Sequence, residues 1–233
     1  MYFPIGIGGY DSTILLVLGA MVLAFLAQAG VQRTFRKYAE VTASINKPAF
    51  HIAQELLRRE GSLVQVTPVG GQLTDHYNPK TNIVGLSEAV YQERSVAAIA
   101  VAAHEIGHVM QYEQGYVPIR LRNAILPVAN FGSQAAPWIV IAGLLFSNYR
   151  LALLGVILFG AMLLFQVVTL PVEFNASSRA IEMLSSGGYL SYEEVPQAKK
   201  VLRAAAFTYV VAALMSLANF VRLLSIANRS RRR

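Results

Sequence analysis

Residues 12–29 and 151–170 carry no charged side chain, and no other feature of this chain narrows its fold so far. A helix needs roughly 17–25 predominantly apolar residues to cross the hydrocarbon core of a bilayer, and both runs fall in that range. Residues 128–146 form a weaker third run, interrupted by Gln134 and Pro137. A fourth, residues 204–227, contains Asn219 and Arg222 and is expected to cross the membrane, to re-enter it or to lie along its surface. Apolar residues make up 55% of the chain and charged residues only 14%, so much of it has no need of a solvated face. These proportions describe an integral membrane protein with three or four spans.

The first run lacks the basic start of a signal peptide, and no A-x-A cleavage site clearly follows it, so it is expected to be a retained anchor. Arg33, Arg36 and Lys37 come directly after it, whereas residues 1–11 hold no Lys or Arg. By the positive-inside rule, the segment that follows is cytoplasmic. The net charge of +7 raises the possibility of a nucleic-acid-binding module. The basic residues flank the apolar runs and gather at Arg229 and Arg231 to Arg233, without aromatic residues between them. That placement suits anionic lipid headgroups and speaks against nucleic acid. There is no cysteine, which excludes disulfides, thiolate ligands and a cysteine nucleophile.

The chemistry concentrates in His104-Glu105-Ile106-Gly107-His108, set in an apolar helix-forming stretch. On a helix, residues four apart share a face, so two imidazoles can reach one metal ion. Glu105 can hold and deprotonate a water without ligating the ion. This is the spacing of zinc metallopeptidases, and the expected cofactor is Zn2+. Two histidines packed in a core are the plainer alternative, but chance rarely supplies this pattern in a chain with four histidines. Ser95 is a fitting N-cap for the helix and Gly115 a fitting stop.

Upstream, residues 46–61 read as a soluble helix, in which His51 lacks a ligand partner at i+4 and is assigned a packing or surface role. Residues 63–67, 72–77 and 83–86 read as strands of a small sheet, expected beside the metal helix. Asp75, His76 and Tyr77 lie on it, either as a polar rim or with His76 or Tyr77 stabilising an oxyanion.

Residues 128–146 and 151–170, joined by the polar turn Ser147-Asn148-Tyr149-Arg150, make a hairpin that returns the chain to the side of His104. Glu173 then stands just past the membrane run, where an unpaired carboxylate is unfavourable. A catalytic zinc takes three protein ligands and leaves one position open, so Glu173 is the chosen third ligand. Asn175 and Ser177 are placed to support its carboxylate or a ligand histidine. The alternatives are an acid paired with Arg179, or ligation by Glu182, Glu193, Glu194, Asp75, Glu88 or Glu113. Gly187-Gly188 ends this helix, and a basic soluble helix follows over residues 193–203.

Together these residues resemble the bacterial YugP-like membrane zinc metallopeptidases. The likeness rests on Asp75-His76-Tyr77, on Arg94 to Ala98 leading into His104 to His108, on Leu121-Arg122-Asn123-Ala124, on Pro127 to Asn130, on Leu170 to Ser177, and on residues 204–213. It implies a zinc-dependent membrane protease in the bacterial inner membrane, acting on protein or peptide substrates. The chain is more distantly similar to the HtpX and CaaX prenyl protease group, which follows its His-Glu-x-x-His with a Glu-x-x-x-Asp. Here Glu173 matches the glutamate, but Ser177 stands in place of the aspartate.

The expected architecture is a membrane α-helical protein with a zincin-like α+β catalytic unit. Its parts are an anchor (1–31), a soluble part with the metal helix (32–127), a membrane hairpin (128–170), a third-ligand segment (171–203) and a C-terminal apolar segment with a basic tail (204–233). The competing function is a membrane scaffold or adaptor whose zinc site is structural or vestigial, against which the intact Glu105 argues.

Overall fold

The computed structural model describes residues 13–230, with side chains through Asn228. Residues 1–12 and the Arg231–Arg233 end of the basic tail lie outside the described residues, as does the Arg229 side chain. Among the described residues, six helices and three strands follow in the order α1 (Thr13–Ala39), α2 (Ala49–Arg59), β1 (Gln65–Val69), β2 (His76–Asn78), β3 (Ile83–Ser87), α3 (Val96–Glu113), α4 (Val117–Leu145), α5 (Tyr149–Ser186) and α6 (Val195–Ser230). The protein is mostly helical, and α1, α4, α5 and α6 are each long and apolar enough to cross a membrane.

All four of these helices are longer than the apolar runs suggest, and α1 continues through Arg33, Arg36 and Lys37 to Ala39. α4 begins at Val117, so Arg120, Arg122 and Pro127 lie inside it rather than in a connecting stretch. α5 continues through Pro171 and carries the residues on both sides of that proline. Pro171 lacks the N–H that would bond one turn back, a loss that a long, packed helix tolerates. The basic helix expected over residues 193–203 and the apolar segment after it are one helix, α6. Helical stretches of opposite polarity join without a break when no Gly or Pro separates them.

The residues sort into two compact units. One gathers the segment ending at Ala27, Leu121–Leu170, and the segment from Thr208 onward. Its helices pack through small residues: a Cβ built on Gly132 would stand 2.3 Å from the Leu158 carbonyl oxygen, and one on Gly143 2.4 Å from the Ala152 nitrogen. Such contacts let helix backbones approach where no hydrophobic effect drives them together. Val140, Ala152, Val156 and Ala227 are buried inside, while Phe131, Trp138, Leu145, Ile157 and Leu164 face outward, as a lipid solvent favours.

The second unit comprises Gln28–Arg120 and Pro171–Phe207. Its sheet has the order β1-β3-β2, with β1 parallel and β2 antiparallel to β3, which leaves β1 and β2 as edges. Residues Ile52, Leu56, Leu57, Val84, Leu86, Ile99, Ile106 and Leu184 are fully or almost fully buried and form the core between α2, α3, the sheet and the end of α5. Ser95 caps α3 by accepting the Ala98 N–H at 3.2 Å. Gly188, at φ 69°, closes the stop after α5 in a conformation that glycine adopts without strain.

Candidate metal centre

α3 is held at both ends by its caps, and its middle carries His104 and His108 with their rings 4.7 Å apart and nearly perpendicular. α5 approaches at Gly107, where a Cβ would lie 2.5 Å from the Ala176 carbonyl oxygen. Only glycine permits that spacing, and it brings Glu173, one turn before Ala176, against the two imidazoles. His104, His108 and Glu173 form a group whose ligand atoms lie within 4.8 Å of one another.

The side chains present the right atoms to the common point. Glu173 Oε2 is 3.4 Å from His104 Nε2 and 3.7 Å from His108 Nε2. Ligands held about 2.0 Å from a tetrahedral zinc stand roughly 3.3 Å from each other, so these separations leave room for an ion among them. Glu173 is almost completely buried, and its Oε2 accepts no hydrogen bond. A buried carboxylate oxygen without a donor is costly, and a cation removes the cost. The residues fit zinc.

The far sides of both rings are fixed by neutral groups. His108 Nδ1 lies 3.0 Å from Gln111 Oε1. The Gln111 amide can stand only one way round, because its Nε2 donates to the Val172 carbonyl at 2.7 Å and to Asn175 Oδ1 at 3.0 Å. His108 therefore donates from Nδ1 and keeps a lone pair on Nε2, the tautomer a metal ligand needs. Asn175 Oδ1 also accepts Arg179 Nε at 2.8 Å. Ser177 Oγ lies 3.2 Å from His104 Nδ1 and can accept its proton in the same way. Burial presses His108 towards its neutral form, but the nearby Glu173 carboxylate, the charge of Glu105 and the contact with Gln111 prevail and raise its pKa above the ordinary histidine value.

Ser177 thus touches His104 directly, whereas Asn175 reaches His108 only through Gln111. Gln111 itself was missed by the sequence reading, although its position three residues after His108 puts it on the neighbouring face of the same helix. Glu105 is buried on α3 beside this group. Arg179 engages Asn175 and Gln114 rather than Glu173. The other acids proposed as third ligands are not in the group: Asp75 accepts the Ser87 N–H and hydroxyl, Glu113 the Ser62 hydroxyl, and Glu194 the Ser44 and Ser191 N–H groups.

His76 and Tyr77 lie on β2, paired with Gly85 and Val84. The exposed His76 donates from Nδ1 to the Thr74 carbonyl at 2.8 Å. Tyr77 donates its hydroxyl to Asn82 Oδ1 at 3.2 Å and packs edge-on against Tyr112 of α3, with centroids 5.4 Å apart. Burial and the nearby Glu113 hold its phenol above the usual range, so it is a neutral donor. His51 is exposed on α2 against Phe50.

No solved structure matches the chain. It is 46% identical over 214 residues to the "Putative membrane protease YugP" of Bacillus subtilis (strain 168), a match covering 91% of this chain and 95% of that protein. A family model described as "Putative neutral zinc metallopeptidase" matches residues 13–228. By its His104, His108 and Glu173 group and by the reach of this match, the chain belongs to that zinc metallopeptidase family.

Proposed function

We propose that this chain is a zinc-dependent endopeptidase of the His-Glu-x-x-His type, acting on peptide bonds of membrane-proximal protein substrates. The observation that carries the reading is Glu173 Oε2, buried without a donor and faced by two imidazole Nε2 atoms. His104, His108 and Glu173 would hold the ion, with Ser177 and Gln111 keeping both imidazoles in the ligating tautomer. Zinc bound there would supply Lewis-acid polarisation of the scissile carbonyl and a lowered pKa for the attacking water. Glu105 accepts the proton of that water and passes it to the leaving amine, which needs a carboxylate close to the ligands but not among them. Tyr77, or His76, is the proposed donor to the developing oxyanion, Tyr77 being the one packed against α3. An edge of the three-stranded sheet offers main-chain hydrogen bonds to an extended substrate.

The unit built from Gln28–Arg120 and Pro171–Phe207 is the catalytic part in this reading, and the apolar unit is the multi-pass membrane part. Arg33, Arg36 and Lys37, directly after the first apolar run, support a cytoplasmic position for the former. Glu173 follows that unit's last apolar residue before it, Leu170, by three positions on one helix, which favours substrates near the bilayer.

Zinc content and casein turnover of the detergent-solubilised wild type, Glu173→Ala and Glu105→Gln test this together. Near-stoichiometric zinc that falls in Glu173→Ala, with turnover lost but zinc kept in Glu105→Gln, is the expected result. Zinc in the wild type with no turnover of any protein substrate would favour a structural site in a scaffold. No zinc in protein purified without chelator would overturn the reading.

A further inference from the structure

Arg222 lies on α6 within the apolar unit and lines a groove of about 380 Å³ together with Asn219. The groove walls are Val140, Ile141 and Leu144 of α4, Phe159 of α5, and Leu223 and Ile226 of α6. Arg222 Nε is buried and has no hydrogen-bond acceptor. Asn219 spends its Nδ2 on the Met215 carbonyl at 3.0 Å, so it does not offer that donor to an anion in the groove. The described residues of this unit include Arg122, Arg150 and Arg222 but no Asp or Glu. Among the described residues, no ion pair supplies Arg222 with a carboxylate. Among the described residues of this unit, nothing supplies its counter-charge.

The depth of the groove indicates the source. At the end of this unit marked by the polar turn before α5, Tyr149 donates to Asn228 Oδ1 at 3.3 Å. Arg222 is six residues before Asn228 on the same helix, about 9 Å further along it. An arginine at that depth keeps its stem in hydrocarbon and reaches towards the interface with its guanidinium. We propose that this groove is a binding site for an anionic phospholipid, whose phosphate pairs with Arg222 and whose acyl chain lies along Val140, Ile141, Leu144 and Ile226. The shape requires a tail as well as a charge, since most of the lining is apolar. Arginine suits a phosphate because its fork of donors engages two oxygens at once.

Native mass spectrometry of the full chain tests this, using mixed micelles containing equal amounts of phosphatidylglycerol and phosphatidylcholine. Wild type should retain phosphatidylglycerol preferentially. Arg222→Gln should lose most of that preference, on the order of tenfold, while Arg150→Gln, at the exposed polar turn, should keep it. Ile141→Trp, which fills the groove and leaves the charge in place, should lower retention without altering the monodisperse elution of the protein. An unchanged preference in Arg222→Gln, or an equal loss in Arg150→Gln, would overturn the site. So would inorganic phosphate at millimolar concentration displacing the lipid completely, because the tail would then contribute nothing.

Discussion

Gly107 and Ala176 bring two helices together at the separation the metal centre needs, the missing Cβ of one lying where the carbonyl oxygen of the other stands. A side chain at Gly107 has to push α5 away, and Glu173 with it. Gly107→Ala is therefore expected to cost about 1–3 kcal/mol as overpacking and to weaken zinc binding at least tenfold. Equilibrium competition with a coloured chelator, alongside thermal unfolding in detergent, would check both. Zinc affinity equal to wild type would show that α5 can move without disturbing the ligands.

Gln111 is predicted to matter as much as a ligand does for retention of the metal. Gln111→Leu removes the acceptor of His108 Nδ1 and takes the side-chain donor from the Val172 carbonyl. Zinc affinity should fall about 10–100-fold, the range typical for groups that orient metal ligands. Gln111→Glu keeps an acceptor for His108 but cannot donate to Val172, so it should restore only part of the loss.

Ser177 allows an opposite pair of outcomes. Ser177→Ala leaves His104 Nδ1 without its partner and should lower zinc affinity about tenfold. Ser177→Asp offers a charged acceptor at the same place and should bind zinc at least as tightly as the wild type. Chelator competition on the two variants distinguishes an orienting hydroxyl from a packing one, because packing alone would make aspartate the worse replacement.

Zinc removal should register in stability as well as in turnover. A ligand that binds only the folded chain stabilises it by mass action, so 1,10-phenanthroline is expected to lower the unfolding temperature of the wild type. In Glu173→Ala the same treatment should change little. A chelator effect of equal size in both would place the ion elsewhere.

Glu194 governs an acid-sensitive link outside the metal centre. Burial raises its pKa, but the N–H groups of Ser191 and Ser44 and the Ser44 hydroxyl outweigh this and hold the carboxyl below its ordinary value. A depressed folded-state pKa contributes stability that is complete above the unfolded value of about 4.3 and is lost as pH falls through the folded one. Glu194→Gln should therefore be less stable than wild type by about 1–3 kcal/mol at neutral pH, with the gap closing in strong acid. Thermal unfolding at pH 7 and pH 3 reads the difference.

Much of this was legible in the residues. The four apolar helices, the small sheet, the stop at Gly187-Gly188 and the convergence of His104, His108 and Glu173 all follow from composition, period and ligand chemistry. What escaped was of two kinds. Helix continuity through Arg122, Pro171 and Arg203 depends on tertiary packing, which overrides local polarity and single prolines. Contacts such as Gln111 with Val172 and Asn175, or Gly107 with Ala176, join positions more than sixty residues apart, and no local spacing announces them. Gln111 alone left a trace, as an amide three residues beyond His108 on the same helix.

His104 and His108 both lean on uncharged groups, a serine hydroxyl and a glutamine carboxamide, neither of which titrates in the working range of a cell. Carboxylates in those places would push electron density through the imidazoles on to the ion. Here Glu173 alone among the three ligands and their supports offsets the charge of a divalent cation. Before Glu105 is counted, the centre would keep a net excess of one positive charge. An ion in such a shell would be held less firmly but would pull harder on a carbonyl oxygen, a trade of grip for electrophilic strength.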